Sequence, residues 1–139
     1  MVSNRMMFKE VLAGLPRLLM VLIVFVAVWG IAVPGPALAD KSEVVIDAPN
    51  EVSKGEDVTV ILHVSHRGNS FFHRTSWVEL RVNGQLANRW EYSMFDRPPD
   101  ENFSVSFSMP AETDLELEAE ANCNIHGSEN VARKTIVVK

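Results

Sequence analysis

The chain's one cysteine stands in the run Cys123, Asn124, Ile125, His126, Gly127, and the other three histidines, His63, His66 and His73, lie upstream. A lone thiol has no internal partner for a disulfide, and one thiolate with several imidazoles is a recurring ligand set for a transition metal. The three-residue step from Cys123 to His126 lets a turn return the imidazole to the sulfur, and Gly127 leaves the backbone free to bend. An unpaired cysteine also packs well as a small buried hydrophobe. Position therefore has to decide between the two uses. Rival chemistries lack their residues: the sequence holds no Ser-His-Asp order, no phosphate-binding glycine loop and no paired-carboxylate motif.

The elements that must position these groups read as strands. Val58, Val60, Leu62 and Val64 alternate through Asp57 to Ser65, Val78, Leu80 and Val82 through the next segment, and Asn83-Gly84 then supplies a type I′ hairpin dipeptide. Phe103 to Met109 alternates with serines, and Leu115 to Ala121 with acids. Val44 to Ile46, Leu86 to Tyr92 and Thr135 to Val138 complete about seven strands, with turns at Asn50, Gly55, Asn83 and Pro98. This predicts an all-β, immunoglobulin-like β-sandwich of antiparallel strands.

Parity places the ligand candidates. One more step along Val58 to Val64 lands on His66, and one more along Leu115 to Ala121 lands on Cys123. Both side chains are predicted to point coreward where their strands run out, at one end of the sandwich. His63 has the opposite parity and is the weakest ligand candidate, a partly exposed strand histidine by default. Trp77, Trp90, Tyr92 and Phe95 read chiefly as packing residues.

The first 39 residues read as a signal peptide. Arg5, Lys9 and Arg17 precede an uncharged run of 16 residues, Leu18 to Val33, and Pro34-Gly35-Pro36 leads to Ala37-Leu38-Ala39. A membrane anchor normally wants ~20 apolar residues, so cleavage after Ala39 is expected, with an uncleaved, membrane-anchoring leader as the alternative. A Sec-type export, to the periplasm or otherwise out of the cytoplasm, is expected, without attachment to a membrane once the leader is gone. Removing the leader from a chain of 13 basic and 18 acidic residues leaves 10 against 17, a net charge of −7 over residues 40–139. That balance excludes nucleic acid as a partner and requires any anionic substrate to be drawn in by a local positive field. One domain, 40–139, is enough for a single modest core.

The run CNIHG resembles the signature that closes the iron site of superoxide reductases, the desulfoferrodoxin and neelaredoxin family. His66 and His73 followed by Trp77-Val78-Glu79-Leu80 are similar to that family's two spaced histidines ahead of a Trp-Ile-Glu-Leu strand. The likeness extends over roughly Val58 to Gly127. It implies a mononuclear non-haem iron, Fe2+/Fe3+, with His66, His73 and His126 equatorial and the Cys123 thiolate axial. It implies reduction of superoxide to hydrogen peroxide, and a periplasmic electron donor such as a small cytochrome or rubredoxin-like protein.

Two departures stand out. The family's first equatorial histidine has no counterpart in Glu43 to Pro49, so the site is three-histidine or is completed by His63, water or a carboxylate. The family's anion-attracting lysine has no counterpart beside His73, where Phe71 and Phe72 stand; Arg67 and Arg74 are the remaining, weak candidates for that charge. The rival readings are a non-catalytic metal-binding or electron-transfer module of the same fold, and a metal-free immunoglobulin-like carrier or interaction domain. Oligomeric state, a homo-oligomer included, is left open.

Overall fold

A computed structural model describes residues 40–139; the leader read from residues 1–39 lies outside the described residues. Among the described residues there is no helix, and eight strands form two sheets. They are β1 (Glu43–Asp47), β2 (Glu51–Val52), β3 (Asp57–Ser65), β4 (Thr75–Val82), β5 (Gln85–Glu91), β6 (Asn102–Pro110), β7 (Leu115–Cys123) and β8 (Val131–Val138). One sheet runs β1-β3-β6 and the other β2-β8-β7-β4-β5. The two make a β-sandwich.

All seven expected strands form. The eighth, β2, has two residues and pairs parallel with the end of β8, Glu51 opposite Val137 and Val52 opposite Val138. Two residues carry no alternation, so nothing in the pattern announces this strand, and its parallel pairing departs from the expected antiparallel set. The Asn83-Gly84 turn is as expected, with φ of 51° and 78°, the left-handed pair that a type I′ hairpin needs.

Alternation is what builds the core. Val58, Val60, Leu62 and Val64 of β3 and Leu115, Leu117, Ala119 and Ala121 of β7 form one buried cluster with Val44 beside β3 and Val78, Leu80 and Ile136 beside β7 in their own sheets, all at 5% exposure or less. Each large apolar side chain so buried contributes roughly 1.5–3 kcal/mol. The opposite faces of the same strands carry Thr59, His63, Glu116 and Glu118 to solvent. A one-residue slip would exchange the two sets, so the register is strongly held.

One irregularity serves the end of the sandwich where both rows run out. In the β4–β7 pairing, Thr75 lies opposite Cys123 and Trp77 opposite Asn122, so Ser76 is an extra residue in β4. Thr75 and Val78 are an odd number apart and would face opposite ways on a regular strand. The bulge turns both inward, and both are fully buried. Ser76 spans the bulge, its hydroxyl donating to the Asn122 carbonyl at 2.9 Å and accepting from the Asn122 amide at 3.1 Å.

Candidate metal centre

Each donor is placed by the strand it leaves. His66 directly follows β3, is 2% exposed, and donates its backbone N–H to the Glu101 carbonyl at 2.8 Å. Cys123 is the last residue of β7 and is 1% exposed. After it the chain doubles back: Cys123 and Gly127 exchange both backbone hydrogen bonds at 3.0 Å, closing a tight loop that carries His126. Gly127 sits at φ +80°, where an L side chain is strained. His73 lies in the loop between β3 and β4. Asn124 ties that loop to the Cys123 turn by accepting the Arg74 N–H at 2.8 Å and donating to the Phe72 carbonyl at 2.9 Å.

The donor atoms converge. One atom each from His66, His73 and Cys123 lie within 4.8 Å of one another. His66 Nε2 is 3.2 Å from His73 Nε2, which is 3.1 Å from His126 Nδ1, and that nitrogen is 3.9 Å from the Cys123 sulfur. Nitrogens bound at about 2.1 Å to one metal, at right angles, stand about 3.0 Å apart, so the imidazoles are already at the spacing of neighbouring ligands. The chemistry of the set fits a transition metal of the iron or zinc kind: borderline imidazoles with one soft sulfur. Burial grades from His66 and Cys123, enclosed, through His73 to His126, exposed. A small molecule therefore has access from the His126 side.

Protonation follows from the partners. Asn69 Oδ1 accepts from the backbone N–H of Thr75 at 2.9 Å and lies 2.8 Å from His66 Nδ1, while its amide donates to the Asp100 carbonyl at 2.7 Å. An amide oxygen only accepts, so His66 carries its proton on Nδ1 and turns the Nε2 lone pair toward the cluster. His73 is held below its ordinary histidine value, first by burial and then by His66 and His126, against a smaller upward pull from Asp40. A neutral ring is the form that ligates a metal. The Cys123 sulfur accepts the Ile125 N–H at 3.4 Å. The Asn124 N–H, by contrast, goes to the Arg74 carbonyl at 3.0 Å.

The structure brings His66, His73, Cys123 and His126 together and leaves His63 apart. His63 is exposed on the outer face of β3, with Ser104 Oγ at 2.8 Å and Asp47 at 3.6 Å. Arg67 is exposed, and Arg74 directs its guanidinium to the Phe71 carbonyl at 2.9 Å, bracing its own loop. Trp90 and Tyr92 pack against the core, Arg89 stacks over Trp77, and Phe95 is exposed near Phe71. Two residues with no predicted role stand against the donors. Asn69 orients His66, and the Asp40 carbonyl oxygen lies 3.1 Å from His66 Nε2. Asn69 follows His66 by three residues, a local spacing that could have flagged it.

A β-sandwich that gathers three imidazoles and one thiol at the end of its core defines a class, the small single-site metalloproteins with mixed nitrogen and sulfur donors. Within that class the chain belongs to the desulfoferrodoxin family, whose model matches residues 37–130. It is similar to the superoxide reductase (neelaredoxin) of Ignicoccus hospitalis, at 27% identity and TM-score 0.58 over 76% of this chain and 89% of that one. The reduced superoxide reductase (neelaredoxin) of Archaeoglobus fulgidus shares the fold at 24% identity and TM-score 0.50, over 68% and 89%. So does the CARDB domain of a Pyrococcus furiosus protein, at 23% identity and TM-score 0.56, over 71% and 94%. Comparison with curated proteins finds no match.

Proposed function

We propose that the protein is an exported mononuclear non-haem iron protein that reduces superoxide to hydrogen peroxide. The observation that carries this reading is the convergence of His66, His73 and Cys123, with His126 at the open edge, in a chain of the desulfoferrodoxin family. Iron bound there supplies one-electron chemistry. The remaining work falls to the chain's own groups. Three neutral rings add no charge and the thiolate adds one negative, so a divalent ion keeps a net positive site that attracts a small anion in an otherwise acidic protein. The Ile125 N–H directed at the sulfur moderates how much electron density the thiolate donates. The buried walls, Thr75 and the end of the β3 and β7 rows, keep water from the inner side of the site. Cleavage after Ala39 and a periplasmic setting complete the reading, with a small cytochrome or rubredoxin-like donor returning the electron.

The test is a spectrum and a rate. The oxidised iron-loaded protein should show a thiolate-to-iron charge-transfer band that the Cys123→Ser variant lacks, and the reduced protein should consume superoxide faster than free ferrous ion under rapid mixing. A band without accelerated turnover would leave a metal-binding or electron-transfer module; no band in either protein would remove the metal site.

A further inference from the structure

The donors already described leave one short contact unaccounted for. His66 Nδ1 gives its proton to Asn69, so Nε2 presents a lone pair. That lone pair faces the Asp40 carbonyl oxygen at 3.1 Å, and a carbonyl has no proton to offer. Two acceptors at hydrogen-bond distance, one on a residue 2% exposed, repel unless a proton or a metal ion lies between them.

The spacing repeats. From Asp40 O to His66 Nε2, to His73 Nε2, to His126 Nδ1, the three successive separations are 3.1, 3.2 and 3.1 Å. All match the roughly 3.0 Å expected of neighbouring ligands at about 2.1 Å from one ion. The carbonyl is held in place by the chain that follows it. Ser42 donates its N–H to the Gly127 carbonyl at 3.2 Å and accepts from the Glu129 N–H at 2.8 Å, and its hydroxyl is 2.9 Å from that of Thr75. The segment entering β1 is thereby fastened to the loop that carries His126. Among the described residues, no carboxylate shares the group formed by His66, His73 and Cys123, and His63 lies on the other face.

We infer that the main-chain carbonyl of Asp40 is the fourth donor beside the three imidazole nitrogens, taking the position for which the sequence offers no histidine. The inference rests on the metal reading above. A carbonyl donor binds more weakly than an imidazole and adds no charge, so the centre is harder in character than a four-histidine one.

The experiment uses the full chain produced with aspartate carrying carbon-13 at its main-chain carbonyl, loaded with iron and oxidised, and read by electron–nuclear double resonance. Three imidazole nitrogen couplings and one carbon-13 coupling are expected. Asp40→Ala made with the same label should lose the carbon-13 coupling yet keep the nitrogen pattern and the iron, since the alanine carbonyl still ligates. Inserting one glycine between Asp40 and Lys41 should weaken iron retention about tenfold or more, the scale set by perturbing a ligand's surroundings. Three nitrogen couplings without carbon-13 would overturn the assignment. So would a fourth nitrogen coupling, or loss of iron in Asp40→Ala, which would assign the role to its carboxylate. A protein with no imidazole coupling at all overturns the metal reading itself, a distinct result.

Discussion

Asn69→Ala is the most searching single change to the site, because it touches no donor atom. The amide oxygen at this position accepts from His66 Nδ1 at 2.8 Å and from the Thr75 N–H at 2.9 Å. Both donors are buried, Thr75 completely and His66 to within 2%. Each buried donor left without an acceptor costs about 1–3 kcal/mol. The third bond, to the Asp100 carbonyl, is exposed, and water replaces it at little cost. The metal-free variant should therefore lose about 2–6 kcal/mol, a large share of the roughly 5–15 kcal/mol of a small domain.

A second effect is independent of stability. Without the amide oxygen, His66 is free to carry its proton on either nitrogen, and metal affinity should fall about 10- to 100-fold. Asn69→Asp keeps an acceptor for both donors and separates the two effects, since it should hold affinity at or above that of the parent. Denaturant unfolding of the metal-free protein reads the first quantity and competition against a chelator the second. Lost stability with unchanged affinity would refute the tautomer argument; unchanged stability would refute the account of the buried donors.

Asn124→Ala removes the clamp between the His73 loop and the Cys123 turn. Its two bonds are exposed, so stability should drop only about 0.5–1.5 kcal/mol while chelator competition shows about tenfold weaker metal binding. Gly127→Ala meets no close atom, Asn122 Oδ1 at 3.7 Å being the nearest, yet at φ +80° it should cost about 1–2 kcal/mol by denaturant titration. Tyr92 is the single tyrosine, and burial, with Asp96 adding, raises its pKa above the ordinary 10.0. The folded protein then holds the phenolic proton longer than the unfolded chain, so this contribution is whole below about pH 10 and is lost as pH rises through the folded value. Tyrosinate absorbance should appear at higher pH in native than in denatured protein; coincident curves would contradict the burial.

The legible part of the molecule is the part governed by period two. Seven strands, the Asn83-Gly84 turn, the inward ends at His66 and Cys123 and the outward His63 all follow from alternation, because one buried face per strand leaves each side chain two choices. The strand of two residues and the bulge at Ser76 escape it. A two-residue strand has no period, and an inserted residue breaks the period that would have located it.

The groups around the donors escape for a different reason. Asn124 acts through side-chain bonds to backbone atoms, Asn69 through bonds to the His66 ring and to the Thr75 N–H, and Asp40 through its own carbonyl, so their roles depend on where main chain passes and not on residue type alone. Asparagine has the habit of bonding close by in sequence, which made Asn69, three residues after His66, findable; the Asn124 bonds reach 50 and 52 residues back, to Arg74 and Phe72. A carbonyl is common to every residue and has no signature. That asymmetry explains the missing fourth histidine: scanning for ligand side chains finds an incomplete site. The lead-in to β1, fastened to the His126 loop through Ser42, passes its backbone close enough to His66 to meet the need. Side-chain identity then matters less at residue 40 than the length of chain between it and Ser42. Of the changes considered, the glycine insertion perturbs that length and leaves every candidate side chain in place.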